Sequence, residues 1–249
     1  MHGWEPIGAS IKREKYRNGG SLSPFRGFPL REVLLGGMVV DHLSSAWEEN
    51  EIEEGATVSL QLRKASLEEV VRDMVDLNPH LTVEELMERV TFEEDGCTLQ
   101  SWDLFRKGLT ALPESIGDLT LTSNLNLGGN QLTTLPESFG SLTVGRFLYL
   151  NENQLTTLPE SFGSIRVGRN LDLRYNQLTT LPESFGELTV GRSLNLLENQ
   201  LTTLPDNFGF ITVGRNLNLK SNQLTSLPKS FNNVNGEVLI SNNPLQKLK

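Results

Sequence analysis

Side chains able to make or break covalent bonds are few in this chain. Its 249 residues hold one cysteine, Cys97, and three histidines, His2, His42 and His80. A cysteine nucleophile needs a neighbouring base or cation to hold it as the thiolate, and no histidine lies close to Cys97 in sequence. The histidines lack the helical spacing of a zinc site. No Gly-Lys-Ser/Thr phosphate loop and no dinucleotide fingerprint occurs. Neither catalytic residues nor a metal or other cofactor is therefore expected, and the chain reads as a non-enzyme.

The residues suited to recognition are aromatic, polar and charged. Phe147, Tyr149, Arg174, Tyr175 and Leu197 combine exposed rings, an arginine and an apolar neighbour, a composition typical of protein-binding hot spots. Asn126, Asp172, Asn195 and Asn218 flank them as a candidate hydrogen-bonding rim. The expected partner-binding set is Phe147, Tyr149, Asp172, Arg174, Tyr175, Asn195, Leu197 and Asn218. A second series, Arg146, Arg169, Arg192 and Arg215, recurs every 23 residues. The acids Glu137, Glu160, Glu183 and Asp206 recur in step and are expected to balance it. Residues 99–249 hold 12 basic and 12 acidic side chains, so a nucleic-acid partner is not expected.

All these residues sit inside one repeat. Leu125, Leu127, Asn130 and Leu132 open a unit, and the same types return at Leu148, Leu171, Leu194 and Leu217, each 23 residues on. Degenerate units flank these five. Trp102, Leu104 and Leu109 keep the apolar positions upstream, with Lys107 in place of the asparagine. Val238, Ile240, Asn243 and Leu245 follow downstream after a gap of 21. About seven units result, and a fixed period of this length marks a solenoid. Alternation in Leu125-Asn126-Leu127 predicts a short strand with both leucines inward. The asparagine after it is expected to satisfy backbone groups that the bend leaves unpaired, and Pro136 to open a helical or extended turn. Ile116, Phe139, Phe162, Phe185, Phe208 and Phe231 are expected to form a stacked spine.

The units resemble leucine-rich repeats, L-x-x-L-x-L-x-x-N-x-L with an added LPxxFG segment, over residues 99–249. The resemblance implies an α/β solenoid, a horseshoe with a parallel concave β-sheet. It departs at Gly145, Gly168, Gly191 and Gly214, where the family usually has an apolar residue. The preceding valines, Val144, Val167, Val190 and Val213, are expected to supply that contact, and the glycines to permit a turn with positive φ. Variation between units falls on the outward strand positions, while Asn-Gln-Leu-Thr-Thr-Leu-Pro is constant. Seven strands at about 4.8 Å spacing make a face about 29 Å across, suited to a protein or extended peptide. The expected function is a protein-interaction module binding on that face. Two alternatives are a regulatory subunit positioning a phosphatase or small GTPase, as some intracellular relatives do, and a structural protein self-assembling through its solenoid ends; otherwise a monomer is expected. Some bacterial relatives attach a cysteine-dependent ubiquitin ligase domain. Cys97, at the repeat boundary, reads instead as a buried cap residue.

The first 98 residues differ in composition. Residues 1–31 are basic, with Lys12, Arg13, Lys15, Arg17, Arg26 and Arg31 against Glu5 and Glu14, and read as a disordered tail. Residues 32–98 carry 17 acids against four bases and read as a small helical N-terminal cap. Thr57–Leu62 alternates like a strand, and residues 29–47 suggest a further helix broken at Gly36-Gly37. Ser66 with Glu69 and Thr82 with Glu85 are capping boxes. They predict helices from Leu67 to about Asp76 and from Val83 to about Val90, covering the first repeat near Trp102. Glu48, Glu49, Glu51, Glu53 and Glu54 read as a solvated run. A lone cysteine and the lack of an apolar leader or membrane span make a cytoplasmic location the expectation.

Overall fold

The computed structural model describes residues 67–245. The basic tail, the strand at 57–62, the helix suggested over 29–47, the acidic run at 48–54 and the Ser66 cap lie outside them. Residues 67–77 form helix α1, and Val83–Met87 form α2. The Thr82–Glu85 capping box is present in both directions. However, α2 ends earlier than predicted, because Val90–Phe92 turn into a strand, β1. That strand pairs antiparallel with β2, Leu99–Asp103. The cap is therefore helical and stranded together. The hairpin connection, which includes Asp95 and Cys97, is held by Asp95 Oδ1 accepting from the Cys97 and Thr98 N–H groups, both at 2.8 Å. Cys97 is half-buried there, more open than the buried cap position expected of it.

From β2 onward each unit adds one strand to a parallel sheet: β4 (Leu125–Asn126), β6 (Phe147–Tyr149), β8 (Asn170–Asp172), β10 (Ser193–Asn195), β12 (Asn216–Asn218) and β13 (Glu237–Leu239). Among the described residues the main sheet runs β1-β2-β4-β6-β8-β10-β12-β13. Leu148, Leu171, Leu194 and Leu217 stand opposite one another in register. They are at most 1% exposed, so the inward face of the sheet is the core. Between strands the chain passes through 3₁₀ turns such as Glu137–Ser141, entered from Pro136 in extended conformation (φ −68°, ψ 157°). The phenylalanine of each turn stacks on the next at 6.0–6.2 Å between centroids, with interplanar angles of 3–12°. This is the spine expected from the sequence.

The asparagine after each strand ties two units together. Asn153 Nδ2 donates to Leu127 O (3.0 Å) and Leu150 O (3.1 Å), while its Oδ1 accepts from Leu132 N–H (3.1 Å). Asn130, Asn176, Asn199, Asn222 and Asn243 repeat the pattern. Each buried group left unpaired would cost about 1–3 kcal/mol. The first unit has Lys107 at this position, and the cap brings its own asparagine nearby. Asn78, fully buried, donates to Met74 O and Ala111 O and accepts from Thr110 N–H. Trp102 joins cap to repeat through Nε1–H to Leu86 O at 2.9 Å.

A second parallel sheet was not foreseen. Its strands are β3 (Thr120–Leu121), β5 (Thr143–Val144), β7 (Arg166–Val167), β9 (Thr189–Val190) and β11 (Thr212–Val213). Val144, Val167, Val190 and Val213 are buried in it, as expected. The glycine that follows each valine does not have the positive φ expected of it. Its reason is close approach: a Cβ on Gly168 would collide with Gly145 O, one on Gly191 with Gly168 O, and one on Gly214 with Gly191 O. Adjacent units pack backbone to backbone at this point, and only glycine leaves room.

Candidate functional site

The outward positions of the main sheet form rows, because the strands are parallel and in register. The row at the strand starts reads Asn124, Phe147, Asn170, Ser193 and Asn216, and the next reads Asp103, Asn126, Tyr149, Asp172, Asn195 and Asn218. Two residues on, past the strand ends, come Phe105, Gly128, Asn151, Arg174, Leu197 and Lys220. The residue after each of these adopts the left-handed conformation: Arg106 (φ 54°), Gly129 (66°), Glu152 (55°), Tyr175 (55°), Glu198 (52°) and Ser221 (54°). For a non-glycine residue this costs about 1–2 kcal/mol, offset by the asparagine ladder that follows. It also throws the Tyr175 side chain outward, leaving it 41% exposed.

The rows bring most of the expected residues together. Phe147 and Tyr149 stack with centroids 5.9 Å apart and planes 20° from parallel. Register places Tyr149 beside Asp172. Asp172 Oδ2 lies 3.2 Å from Arg174 Nε, and the Arg174 guanidinium sits 5.8 Å from the centre of the Tyr175 ring. Burial pushes the Asp172 carboxyl above the usual aspartate range, against the lowering effects of the Arg174 backbone N–H and charge. Leu197 is half-buried in the next unit.

The polar rim has a structural role that spacing did not reveal. Asp172 Oδ1 accepts from Arg174 N–H, Asn195 Oδ1 from Leu197 N–H and Asn218 Oδ1 from Lys220 N–H, each at 3.1 Å. Asp103 and Asn126 do the same. These are Asx turns that end each strand. Tyr149 interrupts the column with a ring.

Sequence reasoning missed two neighbours. Asn124 and Asn170 flank Phe147 in its row, and the Oδ1 atom of each is buried without a hydrogen-bond partner. It also missed Phe105 and Arg106, whose guanidinium lies 4.9 Å from the Phe105 ring centre and 3.5 Å from Glu152. They fold over Gly128-Gly129: a Cβ on Gly129 would meet Arg106 Cγ at 2.7 Å and Phe105 Cε2 at 3.0 Å. The paired glycines, in rows where other units carry side chains, were the signal.

The arginine column is separate from the acids expected to balance it. Arg146, Arg169, Arg192 and Arg215 are exposed on the turns between the two sheets, with no carboxylate within 4.0 Å among the described residues. Glu137 instead accepts from Ser161 N–H of the next unit at 3.2 Å. Among the described residues no helix is long and apolar enough to cross a membrane.

The leucine-rich repeat family model matches residues 122–142 and 169–188, two of the units just described. The chain carries leucine-rich repeats. It is similar to a leucine-rich repeat protein of Leptospira interrogans at 31% identity, over 60% of this chain and 45% of that one, with a TM-score of 0.43. The Drosophila Toll–Spatzle complex aligns at 28% identity over 60% of this chain and 21% of that chain, with a TM-score of 0.47. PEPR1–AtPEP1 aligns at 23% identity over 73% and 31%, with a TM-score of 0.44. The leucine-rich repeat chain described here thus covers less than half the length of each. No curated protein matches its sequence.

Proposed function

We propose that the chain is a protein-interaction module that takes a protein or peptide on the concave face of the main sheet. The observation that carries this reading is the contrast between rows. Inward positions repeat with little change, whereas the outward rows change from unit to unit and gather two aromatic rings, an arginine and an exposed tyrosine in adjacent units. Phe147 and Tyr149 act as one apolar anchor. Arg174 and Tyr175 act as the charged and amphipathic contacts. Truncating a hot-spot anchor costs about 2 kcal/mol, roughly 30-fold in affinity.

The test is affinity capture from the native cell with three forms of the chain. These are the wild type, a Phe147→Ala/Tyr149→Ala/Tyr175→Ala variant of verified thermal stability, and a Phe210→Ala control. Phe210 is 66% exposed on a 3₁₀ turn, away from the sheet rows. A partner lost with the triple variant and kept with the control is the expected result. A partner kept equally by all three would move recognition off the concave face.

A further inference from the structure

The strip where the second sheet turns into the main sheet is unlike the rest of this acidic chain. Residues 143–147, 166–170, 189–193 and 212–216 hold Arg146, Arg166, Arg169, Arg192 and Arg215 and no carboxylate, in a chain of net charge −9. Four of these arginines stand in one column because their own backbones form its rungs. Arg169 N–H donates to Arg146 O at 2.8 Å, Arg192 N–H to Arg169 O at 2.7 Å and Arg215 N–H to Arg192 O at 2.6 Å. Like charges are thus fixed one strand spacing apart, about 4.8 Å. All five side chains are exposed, and among the described residues none has a hydrogen bond, ion pair or ring contact. The column runs out in Ser123 on one side and Gly236 on the other.

We propose that this column takes the acidic run Glu49-Asn50-Glu51-Ile52-Glu53 of the same chain. The alternation of that run is what a column of arginines requires. Alternate side chains of an extended segment share one side, about 6.8 Å apart. Glu49, Glu51 and Glu53 then cover about 13.6 Å, while four arginines at the strand spacing cover about 14.4 Å. Asn50 and Ile52 turn away from the column. The connection is long enough: 14 residues lead from Glu53 to Leu67, the first residue of α1, and reach up to about 46 Å. Arg215, at the far end of the column, lies five strand steps past β2, about 24 Å along the solenoid. A tether of this length holds the run at high local concentration beside the column.

The surroundings of the strip favour a narrow occupant charged on one side. Exposed acids bound it along each unit, with Glu137, Glu160, Glu183 and Asp206 on the 3₁₀ turns before it and Glu152 and Glu198 past the strand ends after it. A nucleic acid, charged along both its length and its girth, would meet those acids as well as the arginines. A single extended segment with its carboxylates on one side meets only the column. Arg146 directly precedes Phe147, the first residue of β6. A run held on the column therefore lies beside the proposed anchor of the concave face.

The test is double electron–electron resonance on the full 249-residue chain in a Cys97→Ser background. One nitroxide is attached at Ile52→Cys, which faces away from the column, and one at Thr189→Cys, an exposed and uncharged position of β9. A short, narrow separation is expected at low salt and its loss at about 1 M, where the Debye length falls to about 3 Å. Reversing the column with Arg146→Glu, Arg169→Glu, Arg192→Glu and Arg215→Glu is expected to abolish the short separation. Adding Glu49→Arg, Glu51→Arg and Glu53→Arg to that variant is expected to bring it back, which a misfolded column could not do. A broad distribution in the unreversed chain overturns the proposal, as does a short separation that survives column reversal or a doubly reversed chain that stays apart. So does a short separation that vanishes on dilution with unlabelled chain, which would assign the run to another copy.

Discussion

Asp172 illustrates how one residue can serve the scaffold and the proposed recognition surface together. Its Oδ1 closes the Asx turn at the end of β8, and its Oδ2 sits beside Arg174. Burial nevertheless raises its carboxyl above the ordinary range. A raised folded-state value means the folded protein favours the protonated form. The stability this contributes is present below the unfolded value, about 3.9, and is lost as pH rises through the folded one. Asp172→Asn keeps the turn acceptor and removes the buried charge. It should melt at a higher temperature than wild type at neutral pH, with the difference shrinking to zero as pH falls below the ordinary aspartate range. Thermal melts followed by circular dichroism across that range check this. A variant less stable than wild type at neutral pH would show that the Arg174 contact outweighs desolvation.

At the scale of the element, the repeat depends on how closely successive turns approach. The glycine column at Gly145, Gly168, Gly191 and Gly214 lets each backbone rest on the one before it. The neighbour in each case is main chain, which cannot swing aside as a side chain can. Gly168→Ala should therefore cost about 1–3 kcal/mol, as overpacking does elsewhere. Arg169→Ala, one residue on and exposed, should change stability by no more than about 0.5 kcal/mol. Urea denaturation of the two variants measures both. Equal, small losses would mean the two sheets separate without strain.

For the whole molecule, each unit is stabilised by its neighbours, so among the described residues stability should fall from the middle of the solenoid toward β13, whose unit is the least buried. Leu150 N–H donates to Asp172 O at 2.8 Å, and Leu219 N–H donates to Leu239 O at 2.7 Å. The bonds match in geometry and differ in position along the solenoid. The Leu219 amide should exchange at least roughly tenfold faster than the Leu150 amide, about 1.4 kcal/mol in opening free energy. Hydrogen exchange resolved by residue gives the comparison. Equal protection would mean that the solenoid opens only as one unit.

The period of 23, the inward leucines, the asparagine ladder and the phenylalanine spine were all legible in the sequence. Each is a regular pattern, and regular stacking turns a repeated residue into a column. The sequence also located the outward positions, because alternation in a strand separates the two faces. Four features were decided only in three dimensions. The strand β1 took over the end of a predicted helix because Val90–Phe92 could pair with β2. The second sheet escaped notice because two-residue strands show no period. The glycines turned out to serve contact and not φ, since a clash with the next unit is invisible within one. Asp172, Asn195 and Asn218 were found to hold their own backbone, because a side chain's choice between main chain and ligand depends on distances that only the folded chain sets.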